Sequence, residues 1–319
     1  MMPFVFAIAF VFLTAFVFVP PVGALAWQIG AVDVPRDRRR MHKRAIPRSG
    51  GLAIVGAFLI GCLLFCRIDA FLQNCLVGVT LVTAIGLLDD VMTLGAWSRL
   101  FVQTVAAWLG CGGGLGTHTV ASVLWVVLLT NAHNFIDGID GLLAGCGAIE
   151  SGALAVMLLF TGHGTLALAS AMLSAACLAF RCYNRHPARV FAGDCGSGSI
   201  GYLLGVLSLP LFYEMRWSAG WLSPLLLFAY PIADLFCAVL RRITRGKHPF
   251  SADRAHLHHR ICAQGIGQVE CGRLLHLIGG MLALAGVLLC TDEFLILASI
   301  SCALSAALLA QIGLLLRRI

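Results

Sequence analysis

Residues 131–142 read Asn131-Ala132-His133-Asn134-Phe135-Ile136-Asp137-Gly138-Ile139-Asp140-Gly141-Leu142, a polar stretch punctuated by glycine between two long apolar runs. Two amides (Asn131, Asn134) and two carboxylates (Asp137, Asp140) recur at three-residue spacing. On a helix that spacing gathers all four side chains near one face. Asn and Asp beside glycine also make ordinary turns. Four of them in regular spacing between apolar helices suit a metal ion and phosphate groups better than packing.

Outward from this stretch the chain is apolar. Of its 319 residues, 60% are hydrophobic and 12% charged, and the mean hydropathy is +0.92. A soluble domain carries about 25% charged residues. Eleven apolar runs approach the length a helix needs to cross a bilayer, at about 3–26, 50–66, 70–88, 98–112, 119–135, 141–161, 164–182, 198–213, 220–240, 274–290 and 294–316. The run at 98–112 is short and ends in three glycines, so the count is 10–11. The expected fold is an all-α integral membrane protein, one domain over 1–319. The first run lacks a basic amino-terminal region and is expected to be a retained helix, not a cleaved signal. The 13 cysteines have no C-x-x-C spacing and lie mostly in apolar runs, as small core residues do.

Charge placement predicts orientation. With the amino terminus outside, 20 of the 22 Arg and Lys residues fall in cytoplasmic segments, leaving Arg67 and Arg216 outside. The net charge of +7 then follows from topology and an anionic substrate, and implies no nucleic acid. The polar stretches all fall on the same predicted side, which places an active-site cleft at the cytoplasmic face.

Four further stretches carry chemistry. Asp33–Gly51 is a basic anchor that also holds His42, Arg48 and the Gly50-Gly51 pair, where backbone N–H groups could meet an anion. Asp89-Asp90 end an apolar run, and their mutual repulsion calls for a cation nearby. Asn184–Gly198 includes Phe191 and Asp194; Asp194 could cap a helix, and Gly196–Gly201 fits G-x-G-x-x-G only as glycines opening a membrane helix. Arg241–Arg260 holds His256, His258 and His259 among six Arg and Lys residues, including Arg254 and Arg260; no cysteine accompanies them, so an anion is favoured over zinc.

Together these motifs resemble the polyprenyl-phosphate N-acetylhexosamine-1-phosphate transferases, glycosyltransferase family 4. The matching segments are P-R-S-G-G (47–51), L-D-D (88–90), N-A-H-N-F-I-D-G-I-D-G-L (131–142), V-F-A-G-D-C-G-S (190–197) and P-F-S-A-D-R-A-H-L-H-H-R (249–260). They are closest to the branch that makes undecaprenyl-diphospho-GlcNAc. The related phospho-MurNAc-pentapeptide translocases usually carry T-M-G-G and three consecutive histidines, where this chain has Arg48-Ser49-Gly50-Gly51 and His-Leu-His-His.

The resemblance implies Mg²⁺, with Mn²⁺ as a substitute, held by Asp194 and Asn134 with Asp89 or Asp90 contributing. It implies uridine near Asp140, Asn184 and Phe191, and the sugar diphosphate near His256, His258, His259 and neighbouring arginines. Asp137 belongs to the same cluster, and His42, Arg48 and Asn131 are candidate substrate contacts. The implied reaction joins undecaprenyl phosphate and UDP-GlcNAc into undecaprenyl-diphospho-GlcNAc and UMP, in the inner membrane of a bacterium, to begin an envelope glycan such as O-antigen or teichoic acid. UDP-linked QuiNAc, FucNAc, GalNAc or phospho-MurNAc-pentapeptide remain alternative donors, and a homodimer is compatible with the sequence. Direct attack by the lipid phosphate is favoured over an aspartyl-phosphate route. A transporter of anionic metabolites is the contrasting class; polar groups at helix ends and the lack of an internal repeat oppose it.

Overall fold

A computed structural model describes residues 2–35, 44–214, 219–246, 256–290, 297, 299, 301–308 and 312. The helices, in chain order, are α1 Met2–Gln28, α2 Gly51–Phe65, α3 Ala70–Met92, α4 Ala96–Gly110, α5 Thr117–Ile136, α6 Leu142–Phe160, α7 Gly164–Asn184, α8 Gly193–Leu207, α9 Leu209–Glu214, α10 Ser223–Leu227, α11 Ala229–Thr244, α12 Leu257–Cys262 and α13 Gln268–Cys290. Between α1 and α2 a short antiparallel pair, β1 Val32–Asp33 and β2 Ile46–Pro47, sets Val32 opposite Pro47. The protein is an all-α integral membrane protein. Helices suit this environment because they satisfy every backbone polar group within the segment.

Among the described residues, seven helices are long and apolar enough to cross a membrane: α1, α3, α5, α6, α7, α8 continuing through α9, and α13. The run predicted at 50–66 is the 15-residue apolar helix α2, and the run at 98–112 is the 15-residue α4. The run at 220–240 is broken into a 3₁₀ turn, α10 and α11. Pro224 at the start of α10 and Pro231 early in α11 remove backbone donors there. The run at 294–316 lies mostly outside the described residues, of which 301–308 are helical.

Helix α8 is the axis of the bundle. Thirteen of its residues after Asp194, Cys195 to Leu207, are buried, enclosed by α2, α3 and α5. Glycine permits this closeness. A Cβ on Gly51 would overlap the backbone of Gly196, and one on Gly201 would overlap the carbonyl of Leu129. With lipid no more apolar than leucine, close contact between small residues holds membrane helices together. The glycines of 196–201 lie in the first turns of the membrane helix α8, as the sequence predicts, and the structure adds that they serve helix packing. Outward-facing side chains such as Phe6, Leu13, Val77, Phe101, Leu124, Phe236 and Leu277 form an apolar surface.

Candidate active site

The polar motifs meet where α3 ends and α8 begins. Helix α3 carries Asp89 and Asp90 in its last turns, both buried, and stops at Thr93 in the left-handed conformation (φ 50°). Helix α8 starts at Gly193, whose φ of 73° and close approach to the Asp90 carboxylate exclude a side chain.

Asp90 caps α8. Its Oδ1 accepts the Asp194 backbone N–H at 2.8 Å and its Oδ2 accepts that of Cys195 at 3.4 Å. Ser49 Oγ donates to Oδ2 at 3.0 Å, and Arg48 Nη2 lies 3.4 Å from Oδ1. Asp89 is held by Arg99 Nη1 at 2.7 Å and by the Leu94 N–H. The capping role considered for Asp194 thus belongs to Asp90.

Asp194 lines the site's cavity. Arg48 Nη2 donates to its Oδ2 at 3.2 Å, Asn134 Nδ2 donates to its Oδ1 at 2.6 Å, and Arg99 Nη1 lies 3.5 Å from Oδ1. Asn134 Nδ2 also donates to Ser197 Oγ at 2.9 Å, which leaves its amide oxygen for a cation or another donor. Asp137, just past α5, has no donor on its carboxylate among the described residues. Burial and the negative charge of Asp194 push its pKa up to about 7, against the pull of Arg48.

Asn131, Asn134, Asp137, Asp194, Arg99, Arg242, His256, His258 and His259 line a cavity of about 740 Å³. It continues into an apolar arm between α3, α4, α5 and α11, lined by Val82, Ile85, Leu100, Val127, Leu128, Leu235 and Val239. Asn131 donates to Gln103 Oε1 at 2.9 Å. His256 Nδ1 donates to Asp234 Oδ2 at 3.0 Å, and Asp234 Oδ1 accepts the Leu257 N–H at 2.8 Å, so Asp234 sets the start of α12. The His258 ring lies 4.3 Å from that of His259 and presses on Gly138. Both of its nitrogens are buried without a partner among the described residues, and burial lowers its pKa to about 3, so the ring is neutral. The Arg242 guanidinium lies 5.0 Å over the Phe135 ring.

Asp89, Asp90, Asp140, Asn184, Phe191 and Arg260 do not line this cavity. Asn184 is buried and ties two loops, its Oδ1 accepting the Gly141 N–H at 3.0 Å and its Nδ2 donating to Val190 O at 2.9 Å. Asp140 accepts from His186 Nδ1 at 2.7 Å and from the Ala188 N–H at 3.1 Å. The Phe191 backbone pairs with Pro47 and Gly50. Arg260 lies on the short helix α12. His42 and Arg254 lie outside the described residues.

The residues fit a magnesium ion. The Asp194 and Asp137 carboxylates and the Asn134 amide supply hard oxygen donors around one cavity, the ligand type Mg²⁺ takes. Among the described residues no group of three or more His, Cys, Asp or Glu could hold a metal unaided. Mg²⁺ usually keeps waters and substrate phosphate oxygens beside one or two protein carboxylates. Sequence reasoning missed Arg99, Asp234 and His186 as partners. Arg99 and Asp234 had a signal, each an isolated charge in or beside an apolar run.

Residues 72–211 match the model of glycosyl transferase family 4. A Bacillus subtilis (strain 168) protein named "Probable undecaprenyl-phosphate N-acetylglucosaminyl 1-phosphate transferase" is 34% identical over 85% of this chain and 80% of its own length. The decaprenyl-phosphate N-acetylglucosaminephosphotransferase of Mycobacterium tuberculosis (strain H37Rv) is 35% identical over 82% of this chain and 76% of its own. The undecaprenyl-phosphate alpha-N-acetylglucosaminyl 1-phosphate transferase of Escherichia coli (strain K12) is 28% identical over 83% and 78%. With the motif residues gathered at one end of a membrane bundle and such identity over most of its length, the chain belongs to glycosyl transferase family 4, the polyprenyl-phosphate N-acetylhexosamine-1-phosphate transferases.

Proposed function

We propose that the protein transfers GlcNAc-1-phosphate from UDP-GlcNAc to undecaprenyl phosphate, releasing UMP, at the cytoplasmic face of a bacterial inner membrane. The observation that carries this reading is the shape of the 740 Å³ cavity, where an apolar arm meets a polar end of carboxylates, amides, arginines and histidines. A polyprenyl chain suits the arm, and its phosphate would then reach the polar end. The names of the relatives support the same donor and acceptor. The distribution of 20 of 22 basic residues supports the orientation.

Asp194, Asn134 and Asp137 would hold Mg²⁺, which when bound supplies charge neutralisation for two anions that must meet. Arg99 and Arg242 line the same cavity and would hold phosphate oxygens. Neutral His258 would donate one ring N–H while accepting at the other nitrogen. A phosphate monoester has a second pKa near 6, so the lipid phosphate is largely dianionic at neutral pH and needs no general base. Its oxygen attacks the phosphorus that bears the sugar, and UMP leaves. The sugar C1–O bond stays intact, so anomeric configuration is retained.

The ion pair of Asp89 with Arg99, and its place outside the cavity lining, support direct attack over an aspartyl-phosphate. The test is UMP release by detergent-purified protein given undecaprenyl phosphate, UDP-GlcNAc and Mg²⁺. Release that needs lipid, Mg²⁺ and Asp194 supports the reading. Release with another UDP-N-acetylhexosamine alone changes the donor, and a trapped phospho-GlcNAc-enzyme overturns direct attack.

A further inference from the structure

An ionisable pair, His133 of α5 and Glu150 of α6, lies inside the bundle and outside the cavity lining. Both side chains are buried, and Glu150 stands midway along the spanning helix α6. An acidic side chain in such a place is costly and calls for a partner. His133 Nδ1 lies 2.8 Å from the Leu129 carbonyl, which only accepts, so Nδ1 carries a proton. Nε2 lies 2.6 Å from Glu150 Oε2, and one proton between the two atoms completes that bond. The Phe228 ring stands nearly perpendicular to the imidazole, with 6.3 Å between centroids.

This bond crosses a thin seam of the fold. Helix α5 packs on α8, α11 and α4, while α6 packs on α7 and α13, and the two touch each other little. They are joined by the segment 137–141, which begins with Asp137. His133 directly precedes Asn134, so the ring reaches α6 about 100° around the helix from the amide that reaches Asp194. Apolar contact tolerates small rotations of a helix, whereas a buried hydrogen bond sets its register. Rotation of α5 about its axis would displace Asn134 and Asp137 together relative to Asp194 on α8.

We propose, resting on the assignment of Mg²⁺ to Asp194, Asn134 and Asp137, that Glu150 is a positioning residue: through His133 it fixes the rotation of the last turn of α5 and with it the cation-binding end of the cleft.

The test measures Mn²⁺ affinity, from the loss of the free ion's electron paramagnetic resonance signal, beside the unfolding temperature of full-length, detergent-purified protein. His133→Leu with Glu150→Leu removes both polar partners and orphans neither, so the protein should fold. Its Mn²⁺ affinity should still fall by roughly tenfold or more, as when an outer partner of a metal ligand is lost. Glu150→Leu alone should weaken binding in the same direction, which covers a double variant that does not fold. Glu150→Gln should keep the parental affinity, because its amide N–H can donate to His133 Nε2. Parental affinity in both leucine variants, whatever their unfolding temperatures, would overturn the proposal, and so would a loss in Glu150→Gln equal to that in Glu150→Leu. A parent that binds Mn²⁺ no better than Asp194→Asn would instead overturn the Mg²⁺ assignment, and this role of Glu150 with it.

Discussion

Asp90 Oδ1 accepts the backbone N–H of Asp194 at 2.8 Å, so the end of α3 caps the start of α8 across 104 residues of chain. The two carboxylates therefore divide the work: Asp90 spends its oxygens on backbone, Ser49 and Arg48, while Asp194 faces the cavity. Asp90→Ala removes a cap and leaves N–H groups of a buried helix start unpaired, a cost of about 1–2 kcal/mol. Asp194→Asn keeps size and one acceptor oxygen but removes the charge and the second acceptor, on a side chain that is part-exposed in the cavity. Thermal unfolding with UMP release should show Asp90→Ala losing both stability and activity, and Asp194→Asn losing activity with little change in unfolding temperature.

Arg99 joins Asp89 at 2.7 Å and lies 3.5 Å from Asp194 Oδ1. It thereby links a carboxylate outside the cavity to one inside it. Arg99→Ala leaves buried Asp89 with only the Leu94 N–H and should destabilise the protein by about 1–3 kcal/mol. Combined with Asp89→Ala, the loss should be less than the sum of the two single losses, a coupling of about 0.5–3 kcal/mol in a double-mutant cycle. Strict additivity would mean that the pair is not coupled.

The four-residue face at 131–142 was legible because its chemistry is local, and the structure keeps Asn131, Asn134 and Asp137 on one cavity. Asp140 departs from them because α5 ends at Ile136, and beyond a helix end the three-residue spacing no longer holds a common face. The seven helices that, among the described residues, are long and apolar enough to cross a membrane were all among the eleven runs read from hydropathy. The break in 220–240 was also written in Pro224 and Pro231, which outweigh an apolar run. What sequence could not show were pairings between distant segments: Asp234 with His256, Arg99 with Asp89 and Asp194, Asp90 under α8. Each depends on which helix ends the fold brings together.

Helix contact through glycine gives a sharp contrast. Gly51→Ala and Gly201→Ala would each push a methyl group into backbone of a neighbouring helix, Gly196 and Leu129 respectively. At Gly279 a Cβ would meet nothing within 4 Å. Overpacking costs about 1–3 kcal/mol or more where the obstacle is backbone, whereas alanine in an open helical position gains about 0.5–1 kcal/mol over glycine. Yield of folded, monodisperse protein should fall for the first two and hold for Gly279→Ala.

His258 makes stability fall as pH drops, against the opposite contribution of Asp137, whose raised pKa of about 7 favours the folded state as pH falls below it. Burial above all, with His259 and His256 beside it and against the opposite pull of Asp234, lowers its folded pKa to about 3, from the ordinary 6.5 that it regains on unfolding. Between those values the unfolded chain binds a proton that the folded chain does not, so stability falls as pH drops through 6.5 and the loss ends near 3. At pH 5 the loss is about 2 kcal/mol, from 1.36 kcal/mol per pH unit over roughly one and a half units. Above pH 7 the group contributes no slope. His258→Asn keeps a polar side chain that cannot titrate, so the decline in unfolding temperature between pH 7 and pH 5 should be shallower in this variant than in the parent. An equal decline in both would show that His258 takes up its proton in the folded state.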